Sequence, residues 1–239
     1  MSTAWYVISS DRTSVKWFNL LHWPYTLWHL SYVVIGASIT STINWEVLIW
    51  MLVAFSLAMG VAAHSFDLVR GDPLKLALST PKLAWVGGIS LTLAAAIGLW
   101  QWYTGAIPPI GILFVAIGFL LVLGYNLEFW HMHGDWQFAT WWAVFPILVG
   151  YFTQGMEWSW ALIPILLFAF ATAYAQRILS IKARYLRRDV IVAYLTVEER
   201  NTPGIENYKS KEWILSSYDL SLAFFNLAMV SIAIVLITR

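Results

Sequence analysis

The chain has 239 residues, of which 60% are hydrophobic and 11% charged, where soluble domains carry roughly 25% charged residues. A formal net charge of +1 offers nucleic acid no basic surface, so no nucleic-acid partner is expected. With no cysteine in the sequence, disulfides, thiolate metal sites and cysteine nucleophiles are excluded.

Apolar runs recur along the whole length and predict an integral membrane protein. The expected fold is a single all-α domain over residues 1–239, a polytopic bundle of about seven transmembrane spans. These lie near 24–43, 45–65, 83–103, 107–125, 137–154, 159–179 and 214–238. Each is close to the ~20 residues that cross the hydrocarbon layer. Ahead of them, residues 1–18 include Asp11, Arg12 and Lys16 and lack the apolar core of a cleavable signal peptide. Trp23, Trp45, Trp102, Trp136, Trp158 and Trp213 fall at expected span ends, where interfacial anchors sit.

The first span brings His22 and His29 to one helical face at i and i+7. Ionisable side chains in a membrane are functional candidates, here either as axial ligands to haem or chlorophyll or as hydrogen-bonding groups between helices.

The second span ends in "VAAHSFDLVRGDPLKL", residues 61–76. His64 and Asp67 share a face at i and i+3, and Gly71 and Pro73 are expected to stop the helix so that Asp72 swings into the loop. Carboxylates crowded at a helix mouth repel unless a cation separates them. Either Mg²⁺ sits between Asp67 and Asp72, or Arg70 pairs with one of them as a loop salt bridge.

After the fourth span, "YNLEFWHMHGDW" (125–136) sets Glu128, His131, His133 and Asp135 within eight positions. The Glu-x-x-His spacing puts Glu128 and His131 on one helical face, and imidazole with carboxylate suits zinc, iron or manganese. A solvated polar loop is the alternative reading of the same residues.

The connections near 40–44, 102–109 and 153–159 carry one charge, Glu157. The amino-terminal tail and residues 66–82 and 177–211 carry Arg12, Lys16, Arg70, Lys75, Lys82, Arg177, Lys182, Arg184, Arg187, Arg188, Arg200, Lys209 and Lys211. Seven alternating spans put all of these on one side, which places the amino terminus in the cytoplasm and the carboxyl terminus outside the cell membrane. Segment 180–212, with Ile181, Tyr185, Ile191, Tyr194 and Leu195 among basic residues, predicts an amphipathic helix lying on an anionic leaflet. Pro203 and Gly204 mark a turn beyond it.

Taken in order, these features resemble the UbiA superfamily of membrane prenyltransferases over roughly residues 20–180. "LHWPYTLWHLSYVVIGA" (21–37) is similar to that family's first span, and "VAAHSFDLVRGDPL" (61–74) stands where the family has its first aspartate-rich motif. "YNLEFWHMHGDWQFATWWAVFPILVGYFTQG" (125–155) is similar to its fourth-loop and fifth-span region. The second aspartate motif is replaced by "YAQRILSIKARYLRRD", with Gln176 and Leu179 where aspartates would stand, and the family usually has nine spans.

The resemblance implies transfer of a prenyl group from a prenyl diphosphate to a lipophilic acceptor. Asp67 and Asp72, with His64, would be catalytic and hold Mg²⁺. Arg70, Arg177, Lys182 and Arg184 would clamp the diphosphate, and Trp141, Trp142 and Tyr151 would line the isoprenoid cavity. Because the second motif is lost, two other outcomes stand beside this one. The chain is a non-catalytic subunit or scaffold of a membrane complex that binds a lipid, quinone or pigment. Or His64, Asp67, Glu128, His131, His133 and Asp135 form a metal site at the cytoplasmic face.

Overall fold

The computed structural model describes residues 4–72, 74–201, 204 and 206–238. Pro73 and Pro203, expected to stop a helix and to open a turn, lie outside the described residues. The chain is mostly helical. A short helix, Thr13–Leu20, precedes seven helical rods among the described residues: Trp23–Ser38, Trp45–Arg70, Thr80–Tyr103, Ile110–Asn126, residues 135–152, Leu162–Arg188 and Lys211–Thr238.

Trp45–Arg70, Thr80–Tyr103, Leu162–Arg188 and Lys211–Thr238 are long and apolar enough to cross a membrane. Ile110–Asn126 is equally apolar but has 17 residues. Prolines open two of the rods: Pro24 and Pro81 sit in first turns, where the missing N–H has no intrahelical partner to lose. Asn44 caps Trp45–Arg70, its Oδ1 accepting the Val47 N–H at 3.2 Å.

Helix 23–38 is the centre of the bundle. Trp28, Tyr32, Ile35 and Ala37 are fully buried, and the core around them draws on Ile147, Ala169, Ala173, Met229 and Ala233 from three other rods. Two polar side chains are satisfied inside it. The Trp28 indole N–H donates to the Tyr32 hydroxyl at 3.0 Å, and that hydroxyl meets Thr172 Oγ1 at 2.9 Å. Gly36 and Gly150 let helix 23–38 and helix 135–152 touch backbone to backbone. A Cβ on Gly36 would overlap the Ile147 carbonyl, and one on Gly150 would overlap that of Val33. Close approach through small residues supplies packing where lipid provides no hydrophobic drive.

Two rods contain π-helical stretches, Ser56–Ala63 and Thr140–Val144. Pro146 follows the second. It has no N–H to give to the Trp142 carbonyl four residues back, and that carbonyl accepts from His29 Nδ1 at 2.7 Å instead. This fixes the His29 proton on Nδ1 and gives His29 a hydrogen bond between helices.

The segment 180–212 differs from expectation. It is no single amphipathic helix. Leu162–Arg188 runs straight on to Arg188, and a two-stranded antiparallel hairpin, Tyr194–Glu198 with Glu206–Ser210, then leads into the last rod. The β-branched and aromatic residues Tyr194, Thr196, Val197 and Tyr208 favour strands, and of the apolar positions read as one helix Ile181 and Tyr185 lie in Leu162–Arg188 whereas Tyr194 and Leu195 lie in the hairpin.

Candidate functional site

The ends of helices 45–70, 110–126 and 162–188 meet the 4–22 segment around one cavity of about 1230 Å³. Asp67 and Arg177, from opposite sides of the sequence, both line it, together with His22, His29, His64, Arg70, Asp72, Tyr125, Glu128, His133, Trp142, Arg184, Arg187 and Arg188. Seven Lys and Arg side chains line it against five Asp and Glu, so its electrostatic bias is positive.

Helix 162–188 supplies most of that bias. Arg177, Arg184 and Arg188 recur at i, i+7 and i+11 and so share a face, whereas Lys182 falls off it and is exposed outside the cavity. Three arginines are committed. Arg177 Nε donates to Asp135 at 3.0 Å, reaches His133 Nε2 at 3.4 Å and lies 5.3 Å over the Phe138 ring. Arg187 donates from one nitrogen, Nη2, to both oxygens of Asp219 at 2.6 and 2.8 Å, joining helix 162–188 to helix 211–238. Arg70 pairs with Glu128 at 2.9 Å and donates to the Leu127 carbonyl at 3.1 Å, across the cavity mouth. Among the described residues no carboxylate forms an ion pair with Arg184 or Arg188.

The floor is built by the turn between the first two helices. His22 sits at φ 43°, a left-handed conformation that costs a non-glycine residue roughly 1–3 kcal/mol. That turn lays its ring flat on His64, with centroids 4.4 Å apart and planes 21° apart. His64 Nδ1 donates to the Gly60 carbonyl at 3.1 Å, released inside the first π-helical stretch. Burial, then the neighbouring His64, Arg188 and Arg184, hold His22 well below the ordinary imidazole value. Burial likewise pushes Tyr6 up, its hydroxyl lying 3.4 Å from His22 Nδ1. The amino-terminal segment is pinned over this floor by Asn19, which exchanges two hydrogen bonds with the Ile8 backbone at 3.0 and 2.8 Å.

Four buried polar atoms on cavity residues have no hydrogen-bond partner among the described residues: His22 Nε2, Tyr125 Oη, Gln176 Oε1 and Arg187 Nε. An orphaned buried polar group costs about 1–3 kcal/mol, so the cavity is built to hold a polar occupant or ordered water.

Compared with family profiles, with curated proteins and with solved structures, the chain matches none.

Several sequence expectations are corrected by this geometry. Asp72 serves its own loop: its two carboxylate oxygens accept the backbone N–H groups of Leu76 and Ala77 at 2.9 and 2.6 Å. Arg70 pairs with Glu128 and leaves Asp67 and Asp72 alone. Glu128 and His131 do not share an α-helical face, because both take left-handed backbone conformations around a single 3-10 turn. Glu128 and Asp135 are bound to arginines, and His133 Nδ1 donates to the Tyr125 carbonyl at 3.2 Å. Among the described residues no three His, Asp or Glu side chains converge as metal ligands. The Mg²⁺ that the resemblance implies needs an oxygen-rich cage. Both proposed aspartates line the cavity, but Asp72 is engaged by its own loop and only Asp67 has no partner among the described residues, so the donor set does not fit.

Trp142 lines the cavity, and Trp141 lines only a smaller apolar pocket beside it. Tyr151 lies elsewhere, its hydroxyl donating to the Glu157 carbonyl at 2.9 Å. Sequence reasoning missed Arg188, Tyr6 and Gln176. For Arg188 the signal was present, in its place on the Arg177–Arg184 face.

Proposed function

We propose that this is an integral membrane protein of UbiA-like kind whose cavity holds the diphosphate head of an isoprenoid lipid. Arg184 and Arg188 contact the head, since both are cationic, both line the cavity and neither has a carboxylate partner among the described residues. Guanidinium groups suit phosphate oxygens because their fixed fork donates two parallel hydrogen bonds. Binding, rather than transfer, is the function best supported, because the aspartate pair that would organise a metal–diphosphate complex is not assembled.

The single observation that carries this reading is the pair of unpaired arginines in a cavity that also holds orphaned polar atoms. In the bilayer, the seven rods cross as seven spans with the amino terminus and the arginine-rich end in the cytoplasm. The outward faces of Thr80–Tyr103 and Lys211–Thr238, with Trp85, Ile89, Phe224 and Leu227 exposed, meet lipid or a partner subunit.

Mass spectrometry of lipid released from the purified protein tests it. A phosphate-headed isoprenoid supports the reading, and a stoichiometric headless pigment or quinone instead of it overturns the reading. Prenyl transfer is the second reading, favoured by Asp67 opening on the same cavity. Turnover that is lost in Asp67→Asn with binding retained would establish it.

A further inference from the structure

Residues 4–11 form one wall of the arginine-lined cavity. Beyond a turn at Trp5 and Tyr6, this segment has no helix or strand before Thr13. Its backbone therefore lacks the repeated hydrogen bonds that hold a regular element in place. Of residues 5–11, Tyr6 alone is buried, and Trp5, Ile8, Ser9 and Asp11 are exposed. The next element is fixed. Helix Thr13–Leu20 inserts Leu20 and Trp17 among Leu68, Leu76 and Leu83, which packs it against helices 45–70 and 80–103. A lightly tied segment thus hangs from a rigid one, with the exposed Asp11 and Arg12 between them.

Two ties hold the segment down among the described residues. The Asn19 amide takes both backbone groups of Ile8, accepting its N–H at 3.0 Å and donating to its carbonyl at 2.8 Å. Asn19 is buried, and its amide supplies what a neighbouring strand would. The second tie is aromatic. Tyr6 meets Tyr25 edge-on with centroids 5.4 Å apart, and Trp5 meets Trp23 edge-on at 6.0 Å. The Tyr6 hydroxyl lies 3.4 Å from Nδ1 of the left-handed His22, whose Nε2 is one of the cavity's orphaned polar atoms.

We propose that residues 4–12 are a lid on the His22 end of the cavity. The lid swings about Asp11 and Arg12. It opens when Tyr6 leaves its seat against His22 and Tyr25 and Ile8 leaves Asn19. An element held by one amide and one aromatic seat opens at far lower cost than the bundle unfolds. Such elements admit a solute when open, shut water out when closed, and set rates of entry and release. The inference goes beyond the head-group reading and does not need it, because any polar occupant of the cavity meets the same lid.

The chain has no cysteine, so a single introduced thiol is the only one to react. Ser180 lines the cavity, Ser90 is buried in helix 80–103 away from it, and Thr196 is exposed in the hairpin. The experiment labels full-length Ser180→Cys, Ser90→Cys and Thr196→Cys in lipid nanodiscs with a sulfonated maleimide. Each is measured alone and combined with Tyr6→Ala or with Ile8→Pro, which deletes the N–H that Asn19 accepts. Both changes fall on the lid, so the helices keep their own packing. The expected result is slow labelling of Ser180→Cys beside Thr196→Cys. Each lid change then raises the Ser180→Cys rate about tenfold and leaves Ser90→Cys and Thr196→Cys within about twofold. Ser180→Cys that labels as fast as Thr196→Cys with the lid intact overturns the proposal. So does an unchanged Ser180→Cys rate with either lid change, and so does an equal rise at Ser90→Cys, which marks loosening of the whole bundle.

Discussion

The imidazole of His22 lies stacked on that of His64, centroids 4.4 Å apart, on the floor of a cavity that also carries Arg184 and Arg188. Two imidazolium ions in that arrangement would repel each other and the arginines.

A pH dependence follows. The His22 value is lowered below its ordinary one of about 6.5, chiefly by burial. The unfolded chain therefore binds a proton that the folded chain does not, and stability rises with pH through that window. The contribution is complete above the unfolded value and is lost as pH falls from there toward the folded one. Thermal unfolding measured from pH 8 to pH 5 should show a falling Tm, with a shallower slope in His22→Gln. An unchanged slope in that variant would show that His22 titrates alike in both states.

Asp72→Ala should destabilise by about 1–2 kcal/mol, because two backbone N–H groups lose their acceptor. Binding of a prenyl diphosphate to the folded variant should be nearly unchanged. A large loss of binding at wild-type Tm would restore Asp72 to the ligand site.

Gly36→Ala should cost about 1–3 kcal/mol by forcing the Ile147 carbonyl away. The same change at Gly88, whose added Cβ would meet nothing within 4 Å, should be silent or slightly stabilising. Denaturation in detergent compares the two directly. Equal Tm values would mean that the 23–38 and 135–152 helices do not cross at this contact.

The Arg70–Glu128 pair at the cavity mouth is half exposed on both sides, 48% and 48%, so Glu128→Gln should change stability by no more than about 1 kcal/mol. Arg187 and Asp219, at 12% and 20%, are mostly buried, and Asp219→Asn should cost several times more because it strands a charge.

What could be read from the sequence follows from which interactions are periodic. Among the described residues helices stand where the apolar runs predict them, and four are long and apolar enough to cross a membrane. Ends moved by up to several residues where the sequence has no sharp stop, as at Ser38 and Arg188. The shared cavity of Asp67 and Arg177 was legible from their common end of the bundle. The partners inside it were not. Carboxylate spacing points Asp72 toward a metal because it cannot reveal that the oxygens accept backbone N–H groups four and five residues on. Glu128 and Asp135 were assigned likewise, since the arginines that claim them lie 58 and 42 residues away. His29 meeting the Trp142 carbonyl depends on Pro146 freeing it across 113 residues, and no local pattern encodes that contact.

The most direct measurement is calorimetric titration of the reconstituted protein with farnesyl diphosphate and, separately, farnesol, for wild type and for Arg184→Gln/Arg188→Gln. The account predicts that the diphosphate binds far more tightly than the alcohol to wild type, and that the double variant abolishes the difference while keeping its Tm. Equal affinity for both ligands in wild type, or an undiminished preference in the folded double variant, would contradict it.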